Sequence, residues 1–184
     1  LSIEQALKNA GRFIQEAGCQ TVKLEGGQEM APTIKRIVEC GIPVMGHIGL
    51  TPQSINQLGG YKAVGKTPET AVKLMQDAIA LEQAGAYAIV LETVPAPLSK
   101  KISERINIPT IGIGAGVDCD GQVQVISDLL GMYTEFVPKH AKQYAKLGET
   151  IKQATANYIE EVASGQFPTD KQSIAMDETI LEGL

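Results

Sequence analysis

Short apolar runs and amphipathic helical stretches alternate along this chain almost without a break, and that alternation limits the folds open to it more than any other feature. The expected strands span residues 19–25, 42–45, 86–91 and 109–113, with a weaker one at 134–137. The runs at 42–45 and 86–91 are almost wholly apolar, as in strands covered on both faces of a parallel sheet. The first helix is announced by a capping-box pattern at Ser2-Ile3-Glu4-Gln5, and Ile3, Leu7, Ala10, Ile14 and Ala17 share one face up to Gly18. A second helix is expected over 31–39, with Pro32 in its first turn and Gly41 past its end. The third opens at Thr67-Pro68-Glu69, presents Ala71, Leu74, Met75, Ala78 and Ile79, and closes at Gly85. Helices over 98–106, 122–130 and 148–164 continue the pattern. In the last of these Ile151, Ala154, Tyr158, Ile159 and Val162 form the expected buried face, and a polar stretch, 166–173, leads to a short helix at 178–181. Strict strand-helix alternation indicates a parallel α/β sheet, with a (β/α) barrel or part of one favoured over a doubly wound open sheet.

Composition removes other classes. A 184-residue chain that is 43% hydrophobic and 20% charged has the make-up of a single folded domain with a proper core, here taken as residues 1–184 with a tail at 166–184. Sixteen Lys and Arg against 21 Asp and Glu give a formal charge of -5, which offers no basic field to a nucleic acid backbone. No apolar run approaches the roughly 18 residues that span a bilayer, and the chain opens on a helix rather than a basic leader, so a cytoplasmic protein without membrane partners is expected. Cys19, Cys40 and Cys119 are odd in number and widely spaced, which argues for reduced packing residues rather than a disulfide frame or zinc knuckle.

The residues capable of chemistry gather at strand ends. Glu25, His47, Glu92 and Gly114 each lie at the carboxyl end of a different expected strand, and in a barrel those ends converge on one face. The stretch 42–66 holds five glycines, Gly46, Gly49, Gly59, Gly60 and Gly65, in a long loop of the kind that usually binds ligands. His47, at the start of that loop, faces either a ligand or the core. Lys23 and Glu25, two apart on a strand, point to the same side and need partners, a metal or a ligand there. Glu92 is delivered by the apolar run 88–91 and suits either proton transfer or capping of the following loop. Gly112, Gly114 and Gly116 suit tight turning, close backbone approach or a phosphate site. Asp120, before Gly121, reads as the N-cap of the next helix, neither it nor Asp118 is assigned to metal, and His140 falls among solvated charges.

Several of these segments together carry a resemblance. Gly46-His47-Ile48-Gly49-Leu50-Thr51-Pro52-Gln53-Ser54 followed by Gly59-Gly60-Tyr61-Lys62 resembles the signature of the ketopantoate hydroxymethyltransferases. Val22-Lys23-Leu24-Glu25-Gly26-Gly27, Val90-Leu91-Glu92-Thr93-Val94-Pro95, Ile111-Gly112-Ile113-Gly114-Ala115-Gly116 and Asp118-Cys119-Asp120-Gly121-Gln122 resemble that family in the same order. The resemblance implies a (β/α)8 barrel of the phosphoenolpyruvate/pyruvate type, of which about five βα units are present. It implies transfer of a hydroxymethyl group from 5,10-methylenetetrahydrofolate to 3-methyl-2-oxobutanoate, giving 2-dehydropantoate on the route to pantothenate and coenzyme A. On that basis Glu92 is the catalytic base, Lys23 and His47 bind the ketoacid, Glu25 is a ligand to Mg²⁺, and the protein is a homo-oligomer, a decamer in this family. The resemblance also implies that an N-terminal portion supplies two aspartates to the site. With Leu1 in place of an initiator methionine and five strands where a barrel has eight, an upstream segment is expected, without which the chain is inactive and its strand edges unpaired. A related metal-dependent ketoacid aldolase or lyase, and a catalytically incomplete structural remnant, are the alternatives.

Overall fold

The computed structural model describes residues 2–182 apart from Gly59, Tyr61, Lys62 and Thr134, with Gln57 and Leu58 described by their backbone alone. The Gly59-Gly60-Tyr61-Lys62 part of the signature therefore lies largely outside the described residues, as does the start of the strand expected at 134–137. The chain divides into two compact units, residues 1–124 and 125–184.

The first unit holds the sheet. Strands β1 (Val22–Glu25), β2 (Val44–Gly49), β3 (Ala88–Glu92), β4 (Thr110–Ile113) and β5 (Gly121–Gln122) are all parallel and lie in the order β1-β2-β3-β4-β5. Helix α1 (Ile3–Gln15) precedes β1; α2 (Ala31–Glu39) lies between β1 and β2, α3 (Ile55–Leu58) and α4 (Pro68–Gln83) between β2 and β3, and α5 (Ala96–Arg105) between β3 and β4. Crossovers between parallel strands are almost always right-handed. When each one steps to the next strand in the same direction, right-handedness sends them all over the same face. Packing follows that rule. Val44 and Ile48 of β2 and Ile89 and Leu91 of β3 enter one apolar core with Ala10 of α1, Ile34 and Ile37 of α2, Leu74, Ala78 and Leu81 of α4, and Ile102 of α5. The alternate residues, Lys23, Glu25, Met45, His47, Val90 and Glu92, share the opposite face and stand outside that core. A doubly wound sheet reverses its strand order and covers both faces, so this singly wound arrangement is not one. It is an α/β fold of five parallel strands, consistent with part of a (β/α) barrel wall.

Local chemistry explains the boundaries. Ser2 Oγ accepts from the Gln5 N–H at 3.2 Å and starts α1, while Thr67 and Thr70 form a reciprocal capping box ahead of Pro68 at the start of α4. Strand β2 runs to Gly49, four residues further than the apolar run that marks it, because Gly46 and His47 keep extended pairing with Ile89 and Val90. Gly46 faces α4, where an added Cβ would meet Leu81 Cδ1 at 2.7 Å. Gly49 has φ +95°, and an added Cβ would run into the Glu92 carbonyl oxygen and approach Val94 Cγ2 to 2.7 Å. Asp77 is the buried exception on α4: it accepts from the Gln28 N–H at 2.9 Å and from Lys73 Nζ at 2.7 Å, clamping the turn after β1.

Four expectations need correction. No helix spans 122–130; Gly121 and Gln122 pair with β4 instead, and only Ile126–Leu129 (α6) is helical. Lacking a Cβ, which would reach Ile111 Cδ1 at 2.8 Å, Gly121 can lie against β4 and extend the sheet. Asp120 is consequently not an N-cap. Its carboxylate accepts from the Thr110 N–H at 2.8 Å and hydroxyl at 3.0 Å, tying β5 to the start of β4. In the second unit, residues 135–137 form no strand, and α7 (Leu147–Ala163) buries none of its residues. Ile151, Tyr158, Ile159 and Val162 remain about half exposed, and Tyr158 meets Phe167 edge-on at 5.5 Å. An apolar stripe records a preference for cover, and within these residues that preference is not met.

The hydrogen bonds from the Thr110 backbone and hydroxyl hold the Asp120 carboxyl below the usual carboxylate range. A depressed folded-state value stabilises the protein above the unfolded value, about 3.9, and that contribution is lost as pH falls through the folded value. Asp120→Asn is therefore expected to lower the melting temperature at pH 7, and thermal unfolding followed by circular dichroism should show its gap from the parent closing below about pH 4. Gly49→Ala, which must accommodate both the left-handed backbone and the Glu92 carbonyl, is expected to cost about 2 to 3 kcal/mol in the same measurement.

Candidate active site at the carboxyl ends of the strands

Parallel register assembles the site. Glu25 of β1 lies beside His47 of β2, and Gly49 of β2 lies beside Glu92 of β3, so two carboxylates flank one imidazole on the face opposite the apolar core. His47 is almost wholly buried, with 2% of its side chain exposed, against 11% for Glu25 and 16% for Glu92. Lys23, on the edge strand two residues before Glu25, is exposed, yet its Nζ reaches His47 Nδ1 at 3.1 Å.

That contact sets the tautomer. An ammonium group only donates, so Nδ1 accepts and the ring proton resides on Nε2. Nε2 lies 3.1 Å from Glu92 Oε2, within ion-pair range, yet makes no hydrogen bond. The result is a buried donor without an acceptor among the described residues, an arrangement that costs roughly 1–3 kcal/mol until a partner arrives. A ligand oxygen beside Glu92 would supply one.

The four candidate residues named from the sequence, Lys23, Glu25, His47 and Glu92, thus come together. His47 sits inside β2 rather than in the loop beyond it. Glu92 does not cap α5, whose N-cap position, Pro95, carries no side-chain hydrogen bond. Glu25 Oε2 accepts from the Gln53 N–H at 3.0 Å, drawing the loop after β2 over β1, and its Oε1 is 3.6 Å from His47 Nδ1. Two other carboxylates near this end of β1, Glu29 and Asp77, are taken up by the Gly27 and Gln28 N–H groups at 2.9 Å each. Among the described residues no group of three or more His, Cys, Asp or Glu is placed to hold a metal ion. Mg²⁺ demands octahedral oxygen ligation, and these residues do not make a site for it on their own.

Other residues separate from the cluster. Asp118 pairs with Lys100 at 3.5 Å, and His140 is exposed in the second unit. All three cysteines are free, and burial pushes the Cys119 thiol up from its ordinary value. The glycines after β4 serve close packing: a Cβ on Gly116 would collide with Ala96, and the Gly116 carbonyl accepts from Gln122 Nε2 at 2.8 Å. Two residues near the strand ends escaped the sequence reading. Asp77 had a visible signal, a charge among Leu74, Ala78 and Leu81 on the apolar face of α4. Thr93 had none; its φ of +53° appears only in the folded chain.

A family profile described as Ketopantoate hydroxymethyltransferase matches residues 1–170. Proteins named 3-methyl-2-oxobutanoate hydroxymethyltransferase from Dehalococcoides mccartyi strain 195 and strain CBDB1 are 63% and 65% identical to this chain over its 184 residues. The whole chain is covered, and it spans 65% and 66% of those two proteins' lengths, just under two thirds. The protein of that name from Clostridioides difficile strain 630 is 53% identical over all 184 residues, which make up 67% of its length. The order of motifs, the profile match and identities at this level agree: the chain belongs to the ketopantoate hydroxymethyltransferase family.

Proposed function

We propose that this chain works in the transfer of a hydroxymethyl group from 5,10-methylenetetrahydrofolate to 3-methyl-2-oxobutanoate, giving 2-dehydropantoate on the route to pantothenate and coenzyme A. The observation that carries the reading is the buried His47 Nε2–H without an acceptor beside the Glu92 carboxylate. A hydrogen-bond donor for an oxygen and a base for a carbon acid stand next to each other there, as enolisation of a ketoacid requires.

In this reading His47 donates from Nε2 to an oxygen of the ketoacid, with its tautomer held by Lys23. The Lys23 ammonium, exposed at the sheet edge, faces the negative charge of the substrate. Glu92 removes the C3 proton, leaving an enolate whose C3 bonds to the folate-borne methylene carbon as one of that carbon's two C–N bonds breaks; water then displaces the second nitrogen and leaves its oxygen as the hydroxyl, while the proton from C3 and one from water end on the two nitrogens of the departing tetrahydrofolate. Glu25, locked by the Gln53 N–H, is the carboxylate toward which Mg²⁺ would be drawn in this family, but one carboxylate does not hold it and no step here is routed through the ion. The five strands belong, in the same reading, to an eight-stranded barrel of the phosphoenolpyruvate/pyruvate type in a homo-oligomer of cytoplasmic location. Among the described residues no helix is long and apolar enough to cross a membrane.

Exchange of the C3 hydrogen of 3-methyl-2-oxobutanoate for solvent deuterium isolates the first step, since it needs no folate. In the native protein Glu92→Gln is expected to slow that exchange by a factor on the order of 10² to 10⁴ while leaving the fold intact. Exchange at the parent rate removes Glu92 from the chemistry. Lys23→Ala is expected to weaken ketoacid binding roughly tenfold in titration calorimetry, in line with loss of one charge-assisted contact.

A further inference from the structure

Thr93 follows Glu92 directly, and its geometry is costly in two ways. Its φ of +53° lies in the left-handed region, where a β-branched residue is a genuine outlier. Its Oγ1 is buried and has no hydrogen-bond partner. Either cost would disappear with a simpler residue: glycine removes the steric penalty of a left-handed backbone, and alanine has no hydroxyl to bury. Such conformations persist only where the surroundings hold them, and here they do. The Thr93 N–H donates to the Ile113 carbonyl at 2.8 Å, its carbonyl accepts from the Val64 N–H at 3.3 Å, and the preceding Glu92 carbonyl accepts from the Leu50 N–H at 2.8 Å. The turn at Thr93 is thereby tied to the segments leaving β2 and β4 and to the loop before α4.

Among the described residues only two buried side-chain nitrogen or oxygen atoms lack a hydrogen-bond partner, His47 Nε2 and Thr93 Oγ1. The first lies 3.1 Å from the Glu92 carboxylate, and the second belongs to the next residue in the chain. Their coincidence at one strand end has a simple chemical meaning. A 2-oxo acid brings several oxygens at once, enough to meet both. We propose that the Thr93 hydroxyl is a further substrate-binding group, making a hydrogen bond to an oxygen of the ketoacid when that acid lies against His47 and Glu92. This rests on the functional reading above and adds a residue to it.

The test compares Thr93→Val and Thr93→Ser in the native protein. Valine keeps the branched shape and the backbone penalty but loses the hydroxyl; serine keeps the hydroxyl. Titration with 3-methyl-2-oxobutanoate is expected to show about tenfold weaker binding for Thr93→Val and binding within about twofold of the parent for Thr93→Ser. The melting temperature without ligand is expected to be unchanged or raised in Thr93→Val, since it removes an unsatisfied buried hydroxyl. Parent-like ketoacid affinity in Thr93→Val, or weak binding that serine does not restore, overturns the assignment. If the parent itself fails to bind the ketoacid, or Glu92→Gln exchanges the C3 hydrogen at the parent rate, the functional reading falls first.

Discussion

The register between β2 and its two neighbours is the constraint on which the site depends. A parallel ladder fixes which residues lie side by side, and side chains on paired positions leave the same face. With Val22 beside Val44 and Met45 beside Ala88, Glu25 and Glu92 inevitably stand on either side of the strand that carries His47. A slip of one residue would turn the imidazole into the helix layer and an aliphatic side chain out of it. The apolar residues that fill the core, Val44, Ile48, Ile89 and Leu91, therefore align the polar ones on the other face as a by-product of their own burial.

Charge placement on that face follows from how little covers it. Lys23 occupies a position that a two-sided parallel sheet would bury, yet it is exposed on β1, the edge strand of this sheet. It keeps the long hydrated end of its side chain in solvent and still reaches the imidazole. His47 is the reverse, a polar ring with nearly all its surface removed from water and only one of its two nitrogens hydrogen-bonded.

Much of this was legible in the amino acids. The apolar run before Glu92 and the same-side spacing of Lys23 and Glu25 place their side chains through a period of two, which needs no tertiary information. Glycine and proline marked where α2 and α4 begin or end for reasons equally local. What escaped were the features decided by distant contacts. Asp120 looked like a helix cap until the backbone of Thr110 proved the better donor, and Gly121 looked like a helix start until β4 offered it a ladder. The stripe on α7 was read correctly as apolar and wrongly as buried, because periodicity describes one surface and burial takes two. Thr93 left no trace at all, since its residue type argues against the conformation it adopts.

Strand β2 has different duties on its two sides. Val44, Gly46 and Ile48 face the helices, where volume decides, and Gly46 in particular lets α4 approach as closely as Leu81 permits. Met45, His47 and Gly49 face the open side, where a tautomer and the path of the Glu92 carbonyl decide. Neutral drift needs positions at which a replacement goes unnoticed, and a strand answerable for packing on one side and for the site on the other leaves almost none. A replacement anywhere in this segment meets one of two independent demands, which helix surfaces and connecting turns do not impose.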